Sequence, residues 1–525
     1  MTRFDRVPLF AVTALAALLR LPGIDARGTF DADQGHDMAT LVAFTRGGIV
    51  PLLGPKTSVG DFHHGAFYYF LLAPAAALSG GDPVAVTAFI ALLGIGAVAL
   101  TWWLARAIGG PLAGAIAGLL LAVSPAAIDE CTFIWNPNPI AFFAVLALAA
   151  AWKAHTGGGV ASSRRSTAAW WALAIGAGGA VTQLHVLGVV FLIAVLGLAL
   201  LELLELRRGP EVLVGIVGGL AVIGVLFLPL LVHELQTGFQ ETRLVLDYVR
   251  GGGGEVIGGG PVAAVAFTLL RITGWPLMGL VTDVPALAAV LLAVVVALTV
   301  IGLLRARGLE ATGLRWLVGI LAWSTLALAF AAPSLQRVVP GLPNDHYHAF
   351  IDPLVMILIA VPAARLLRQA LAAWRDMRRP VSAVAGVVVA AGLATLVAVA
   401  ILRMPPAVDP NGGWPVLRDA GARVARVVGN EPTTVRWLPD FKAPDAMTFP
   451  IEHAGVEIVS GSRLMERYTV VVCDRLFESV MHQQCGGPAE DVLLFGGGIS
   501  GLVDRFDASP RTVVSIYDVG TGPGS

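Results

Sequence analysis

The run VAVTAFIALLGIGAVALTWWLA, residues 84–105, has no charged side chain. An α-helix rises about 1.5 Å per residue, so this run is long enough to cross the roughly 30 Å hydrocarbon core of a membrane. Ten more largely apolar runs lie near residues 8–22, 112–127, 138–153, 168–184, 186–204, 212–232, 285–304, 314–332, 349–370 and 381–402. The sequence therefore predicts an all-α, polytopic membrane protein with about eleven transmembrane helices.

The composition of the whole chain agrees with this prediction. Of 525 residues, 56% are hydrophobic and 14% are charged, and the mean hydropathy is +0.77. These values lie far outside the range of soluble domains. The formal net charge of -1 provides no basic field for a nucleic acid, so membrane lipids are expected to surround the chain and no nucleic acid is expected to bind it.

Short basic clusters between the apolar runs predict which loops face the cytoplasm, because Lys and Arg collect on that side. The clusters share one side only if the ambiguous stretches 66–79 and 261–281 lie in the outer leaflet without crossing. Counting both stretches as spans gives about thirteen helices, but several clusters then fall on the wrong face. We therefore expect about eleven spans and a cytoplasmic N-terminus.

The sequence changes character near residue 404, where charges, prolines and short alternating runs begin. TVVVCD (469–474) and TVVSIYDV (512–519) predict strands, and VLRDAGARVARVV (416–428) predicts an amphipathic helix. We expect a transmembrane catalytic domain over residues 1–403 and a small α/β domain over residues 404–525. An odd number of spans makes the second domain extracytoplasmic.

The three cysteines are Cys131, Cys473 and Cys485. In an oxidising compartment, Cys473 and Cys485 either form a disulfide or stay as two reduced thiols. Cys131 has no obvious partner and is expected to be a buried structural thiol.

Nearly all unusual polar residues fall in the predicted outer loops. The stretches are DADQGHD (31–37), GPKTSVGDFHHG (54–65), FYYF (67–70), SPAAIDECTFIWNPNP (124–139), TQLH (182–185) and PNDHYH (343–348). Polar groups at membrane depth are costly unless they are paired or functional. The first three stretches belong to one outer loop, and each of the other three lies at a different outer end of a predicted span. Because four separate places contribute polar residues, the sequence predicts one shared, outward-facing site.

The order of these motifs resembles that of the GT-C integral-membrane glycosyltransferases. An acidic pair after the first span, a basic residue before a PLYYW-like run and an S-P loop are typical of bacterial aminoarabinose transferases that modify lipid A and of protein O-mannosyltransferases. Asp33 takes the place of the first acid, and Gln34 replaces the glutamate. His64 takes the place of the family's lysine, ahead of the retained Tyr68 and Tyr69. Many bacterial members carry a pattern resembling DQ-x-x-D, FH-x-G-x-x-YY-x-LLAP and WNPNP, which this chain matches over residues 1 to about 200.

The resemblance implies a GT-C fold and transfer of one hexosyl or pentosyl group from a polyprenyl-phosphate donor. The acceptor, a lipid, cell-wall glycan or protein, is expected on the outer face of a bacterial cytoplasmic membrane. The acceptor hydroxyl must lose its proton as it attacks the anomeric carbon, and a carboxylate is the natural general base. Asp33 is the predicted base, with Asp37 in support.

The leaving polyprenyl phosphate departs as an anion that needs positive charge or a metal ion to hold it. Lys56 and His63 or His64 are the candidate cations. Further candidates for contacts to the phosphate or sugar are Tyr68, Tyr69, Asn136, Asn138, Gln183, His185, His346 and Tyr347.

Each candidate also has a structural interpretation. Asp37 can cap a helix, the tyrosines can anchor at the interface, the asparagines can shape a turn, and the histidines can be satisfied in the core. Asp31 and His36 are weaker candidates, and Asp129 or Glu130 are alternatives to Asn138 as the second polar group of the site.

Two questions stay open from the sequence. No cofactor is required by the pattern, although Asp33, Asp37 and His64 are candidate ligands for a divalent cation. A polyprenyl-lipid flippase is the alternative function. Coupling acids of transporters usually lie near the middle of the bilayer, whereas these acids lie at the outer edge, which favours the enzyme.

Overall fold

The structure is a computed structural model that describes residues 3–58, 60–157, 164–205, 209–251, 260–332, 335, 345–376, 380–439, 444–459, 466–494 and 501–520. Helices make up the described part as far as residue 402, and a sheet appears only after that point. Of the basic stretches that predict the cytoplasmic side, residues 207–208 and residues 158–163 of the loop 153–165 lie outside the described residues. The predicted fold class, a polytopic helical bundle followed by a small α/β unit, is confirmed.

The first part of the bundle contains α1 (Arg3–Arg20), α2 (Ile24–Arg27), α3 (Ala32–Gly47), α4 (Phe67–Ser79), α5 (Pro83–Gly109), α6 (Pro111–Val123), α7 (Pro125–Asp129), α8 (Ile140–Thr156) and α9 (Arg164–Leu184). The second part contains α10 (Gly188–Leu204), α11 (Gly209–Leu226), α12 (Leu228–Thr237), α13 (Gln240–Arg250), α14 (Gly260–Met278), α15 (Pro285–Arg305), α16 (Leu309–Ala331), α17 (Asp352–Asp376) and α18 (Pro380–Leu402). A 3-10 helix, Asp345–Ile351, leads into α17.

Seven candidate spans in the described residues are long and apolar enough to cross a membrane. They are α5, α11, α14, α15, α16, the continuous segment Asp345–Trp374 and the part Val384–Leu402 of α18. The apolar helices α4, α6, α8 and α10 are shorter. A multi-pass membrane protein is thus established, and the number of spans stays a prediction. α14 has the length and hydropathy of a span, whereas the basic clusters predict that residues 261–281 lie in the outer leaflet.

Small residues let the helices of the bundle approach closely. Gly215 and Gly219 of α11 face Trp171 and Ile175 of α9, and a Cβ atom on either glycine would lie 2.5 Å from the Cβ of its neighbour. Real side chains do not come that close, so larger residues would push the two helices apart. Association of this kind through glycine is common between membrane helices, where lipid tails are as apolar as the helix surfaces.

The C-terminal unit contains α19 (Gly413–Val428), α20 (Asp445–His453), α21 (Glu478–Met481), α22 (Pro488–Leu494) and four strands. The strands are β1 (Thr433–Leu438), β2 (Tyr468–Asp474), β3 (Gly501–Asp507) and β4 (Thr512–Asp518). Their order is β1-β2-β4-β3, with β1 parallel to β2 and the other pairs antiparallel. The two predicted strands and the predicted helix are confirmed as β2, β4 and α19.

The cysteines also have definite places. Cys473 of β2 forms a disulfide with Cys485, which is one of the two alternatives that the sequence left open. Cys131 is a free and buried thiol, as predicted, and it donates to the carbonyl of Ala127 at 3.1 Å.

A buried ion pair joins α14 to the segment before α17. Arg271 donates from Nε and Nη2 to the two carboxylate oxygens of Asp345, at 2.5 and 2.8 Å. His348 Nε2 lies 3.2 Å from the same carboxylate, and Arg271 also donates to the carbonyl of Leu335. All three side chains of this cluster are at most 1% exposed. Each charge is therefore compensated inside the protein, which is the condition for burying it at membrane depth.

We expect Asp345→Asn to destabilise the protein strongly, because it leaves the Arg271 guanidinium buried without its anion. Removing one partner of a buried pair typically costs about 3–5 kcal/mol. The measurement is the thermal unfolding midpoint of the purified protein in detergent. Asp419→Asn is the matched control, since Asp419 pairs with Arg418 on the surface and its loss is expected to leave the midpoint unchanged. Equal midpoints for the two variants would contradict this prediction.

Candidate active site

The stretch DADQGHD forms the start of α3, and its first residues fix the helix in place. Asp31 is the N-cap, with its side chain accepting from the backbone of Ala32 at 2.9 Å, and Gln34 Oε1 accepts from the backbone of Asp31 at 2.8 Å. This reciprocal arrangement satisfies backbone donors that a helix start leaves open. Gln34 Nε2 also donates to the carbonyl of Ile134 at 2.9 Å, which ties α3 to the 124–139 loop.

Asp33 lies on this capped first turn, and its side chain is exposed. Its charge acts weakly on the phenol of Tyr347, so the start of α3 lies within electrostatic range of the 345–351 segment. The helix N-terminus stabilises a negative charge at this position. The structure thus places an exposed carboxylate on a helix start that is fixed by its own cap.

Asp37, one turn further on, is 1% exposed and holds α3 against α4. Its two carboxylate oxygens accept hydrogen bonds from Tyr68 at 2.9 Å and from Tyr69 at 2.8 Å. Burial raises the pKa of the Asp37 carboxyl to about 7, although the two tyrosine hydrogen bonds lower it. The contacts give Asp37 and both tyrosines a structural role, and their predicted part in catalysis or substrate binding stays a prediction.

Lys56 and His63 lie on a short turn that precedes α4. Lys56 Nζ pairs with Asp61 at 2.8 Å on the surface. His63 Nδ1 lies 3.1 Å from Glu241 Oε1, and its backbone N–H donates to Glu241 Oε2 at 2.7 Å. Glu241 lies in the first turn of α13 and is 5% exposed. Sequence analysis missed this acid, since nothing in its surroundings predicts a contact across 178 residues of chain.

An aromatic stack lies next to this turn. The rings of His64 and His185 have centroids 4.5 Å apart, and His185 stacks on Tyr347 at 4.1 Å with an angle of 15° between the planes. Burial lowers the pKa of His64 to about 3 and that of His185 well below its usual value. Both histidines are therefore neutral at pH 7, and they act as rings and hydrogen-bonding groups instead of as cations for a phosphate.

Gln183 and the two asparagines serve the backbone around this stack. The carbonyl of Gln183 accepts from Gly65 at 3.0 Å, and a Cβ on Gly65 would lie 1.9 Å from Gln183 Oε1. Asn136 donates to the carbonyl of Leu184 at 2.6 Å, and Asn138 donates to Phe133 at 2.7 Å. These contacts agree with the structural interpretation and leave their predicted substrate contacts as predictions.

His346 occupies an aromatic box on the other side of Tyr347. Its ring centroid lies 5.0 Å from that of Trp135 and 5.2 Å from that of Trp275, and Nε2 is 3.7 Å from Asp129 Oδ2. Trp275 donates to Glu130 at 3.2 Å. Burial raises the pKa of Glu130 to about 7. Trp275 is a second residue that sequence analysis missed, because an indole in an apolar run carries no signal of a polar site.

These contacts bring most of the predicted residues into one connected region. The continuous part runs through Tyr347, His185, His64, Trp135 and His346, with Gln183 and Asn136 bonded to the backbone beside it. Asp33 lies within electrostatic range of Tyr347. Lys56 and His63 lie at the edge of this region, where Lys56 contacts Asp61 and His63 contacts Glu241. The region combines an exposed carboxylate with aromatic faces at the end of a membrane bundle, an arrangement suited to deprotonating a hydroxyl beside a bound sugar ring.

Solved structures with the same architecture give this arrangement a context. ArnT from Cupriavidus metallidurans bound to undecaprenyl phosphate is similar over 98% of this chain and 98% of that chain, with 15% identity and a TM-score of 0.56. The apo oligosaccharyltransferase of Archaeoglobus fulgidus is similar over 91% of this chain and 70% of that chain, with 12% identity and a TM-score of 0.51. The chain has the GT-C fold.

Sequence comparison agrees with this assignment over part of the chain. Residues 59–237 match the model of the family described as Dolichyl-phosphate-mannose-protein mannosyltransferase, and no curated protein sequence matches the chain. The resemblance to GT-C membrane glycosyltransferases is therefore confirmed. The flippase alternative receives no support from these comparisons.

The three candidate metal ligands, Asp33, Asp37 and His64, do not form a metal-binding cluster. Among the described residues, no group of three or more His, Cys, Asp or Glu side chains is arranged to hold an ion. Asp37 uses both carboxylate oxygens for tyrosines, and His64 is stacked on His185. Asp33 is the one of the three whose side chain is exposed.

We expect the stability of the protein to depend on pH through Asp37. Its pKa is higher in the folded protein, so its contribution to stability is full below about pH 4, the usual pKa of the group, and is lost as the pH rises through about 7. Asp37→Asn removes this titration, and its unfolding midpoint should fall less than that of the wild type between pH 4 and pH 7. Asp419→Asn, on the surface, should keep the wild-type slope; a wild-type slope in Asp37→Asn would refute the assignment.

Proposed function

We propose that the chain is a membrane glycosyltransferase that moves a single hexosyl or pentosyl group from a polyprenyl-phosphate donor to an acceptor on the outer face of a bacterial cytoplasmic membrane. The observation that carries the proposal is the placement of Asp33 in a GT-C fold, as an exposed carboxylate on a capped helix start within electrostatic range of Tyr347. The acceptor belongs to one of three classes, a lipid, a cell-wall glycan or a protein.

In the proposed reaction, Asp33 accepts the proton of an acceptor hydroxyl as the oxygen attacks the anomeric carbon of the donor. The bond between that carbon and the phosphate oxygen breaks, and the polyprenyl phosphate leaves with the electron pair. A general base of this kind typically contributes a factor of about 10²–10⁴ to the rate. The leaving phosphate needs no proton, since it is a stable anion.

We assign the task of holding the leaving phosphate to the turn that carries Lys56 and His63. Lys56 is exposed and pairs with Asp61 only at the surface, where an ion pair is worth little and can be exchanged for a phosphate. His64 is unsuited to this task, because its lowered pKa keeps the ring neutral. The neutral stack of His64 and His185 supplies hydrogen bonds and a surface for the sugar.

Two features support a lipid-linked sugar as the donor. An apolar groove of about 260 Å³ is lined by Phe67, Phe143, Leu146, Ala177 and Leu226, among others. Such a groove suits an isoprenoid chain, and the similar ArnT structure contains undecaprenyl phosphate. The half-buried rings of Trp135 and Tyr347, with centroids 5.7 Å apart, offer faces against which a sugar ring can pack.

The outward orientation is proposed from the basic clusters, which assign the opposite end of the bundle to the cytoplasm. At that end Arg368 donates to the carbonyl of Gly109 and Arg365 pairs with Glu310 at 2.9 Å. The disulfide between Cys473 and Cys485 suits an oxidising compartment. We therefore assign residues 1–403 to a catalytic membrane domain and residues 404–525 to an extracytoplasmic domain that lies over the site.

The test of the proposed function is Asp33→Asn. This change keeps the size of the side chain and removes its basicity, so transfer should fall by about 10²–10⁴-fold, while the unfolding midpoint stays the same. Lipid extracts of cells that carry the variant should accumulate the donor in the outer leaflet. Asp25→Asn, an exposed carboxylate in the same outer loop, is the matched control and should keep full activity.

Two results would contradict the proposal. Wild-type transfer in the Asp33→Asn variant would remove the base from the mechanism. Accumulation of the donor in the inner leaflet would indicate that the chain moves the lipid across the membrane instead of consuming it.

A further inference from the structure

The C-terminal unit contacts α3 at backbone distance. A Cβ atom on Gly35 would lie 2.0 Å from the carbonyl oxygen of Asp445 and 2.9 Å from the backbone nitrogen of Ala446. Side chains cannot occupy that space, and a carbonyl group cannot move without its chain. The start of α20 therefore rests directly on the first turns of α3, two residues from Asp33.

Polar contacts lie on both sides of this point. His36 Nδ1 is 3.1 Å from Asp445 Oδ2. On the other side of Asp33, the carboxylate of Asp31 is 3.9 Å from the Arg511 guanidinium. Asp474, at the end of β2, accepts two hydrogen bonds of 2.7 and 2.5 Å from that guanidinium, which ties the Arg511 side chain to the sheet.

The same surface continues into the segment before α3. The Phe30 ring lies 4.8 Å from Trp414 and 6.1 Å from Phe449 between centroids. The backbone of Asp409 donates to the carbonyl of Ala26 at 2.7 Å. The first outer loop thus packs on the C-terminal unit through aromatic rings. Charged contacts lie nearby, at the start of α3.

We propose that the C-terminal unit positions the proposed base Asp33 by clamping α3, and that Gly35, His36 and Asp445 are positioning residues for transfer. The inference rests on the proposed function. Contacts at Asp31 and at Gly35 bracket Asp33, so the orientation of the first helical turn depends on where the unit sits. A displacement of about 1 Å at a reacting group can cost about 10²-fold in rate, which makes this contact a determinant of turnover.

The first test is Gly35→Ala. Alanine is the better helix former by about 1 kcal/mol, so α3 itself is not weakened, but the added methyl group must push α20 away. We expect kcat to fall at least about tenfold, within the cost of a misplaced group, while KM for donor and acceptor changes little. Gly197→Ala in α10 is the matched control, because nothing lies within 4 Å of its Cβ, and its kcat should be that of the wild type.

A double-mutant cycle tests the same contact without a steric clash. His36→Gln and Asp445→Asn should each lower kcat, and the double variant should lose no more than either single variant, because one interaction is removed in all three. Unfolding midpoints should stay close to the wild type, since both side chains are partly exposed. Additive losses, or wild-type kcat in Gly35→Ala, would overturn the inference.

Two further outcomes distinguish this inference from an acceptor-binding role of the C-terminal unit and from a failure of the proposed function. A rise in KM for the acceptor alone, at constant kcat, would give the C-terminal unit an acceptor-binding role and overturn the positioning role. Wild-type transfer in the Asp33→Asn variant would overturn the proposed function, and the positioning of a base with it, whatever the exchange data show. Amide hydrogen exchange of residues 31–37 reports on the clamp directly: it should be faster in Gly35→Ala, and an unchanged rate would overturn the inference regardless of activity.

Discussion

The hydrocarbon core of the membrane contains no water, and this constraint shapes the rest of the protein. Every backbone group inside it must be bonded within the chain, which makes helices the form of the spanning segments. Polar side chains are displaced to the helix ends, where the outer loops gather them. Arg271 is a buried cation that is tolerated because the Asp345 carboxylate pairs with it through two hydrogen bonds. The site thus forms where the apolar bundle stops.

Within DADQGHD, most residues serve to hold the helix start. Asp31 caps it, Gln34 bonds it to the 124–139 loop, Gly35 admits the backbone of α20, and Asp37 accepts from two tyrosines of α4. The density of acid near the bilayer is therefore mainly architectural. Asp33 differs in being an exposed carboxylate on a turn that its neighbours immobilise, and immobility is what a general base requires.

The architecture was largely predictable because apolar length and alternation are local properties. The boundaries of the helices were harder to predict. The single predicted span 212–232 divides into α11 and α12, and Pro229 lies in the first turn of α12. A proline fits in the first turn of a helix but disrupts the interior of a continuous one. The site was predictable as a set of outer-loop residues. Its pairings, such as His63 with Glu241, were not, because they join distant parts of the chain.

The sequence by itself determined that this is a helical membrane protein with an α/β appendage and that its polar residues collect at one set of loops, since hydrophobic length and residue order are sufficient for that. Only the tertiary structure decided how those residues are paired, buried and charged. His64 was a predicted cation for the leaving phosphate, but burial keeps its ring neutral. Whether a group is charged, buried or exposed depends on what packs around it, and that is a property of the assembled fold.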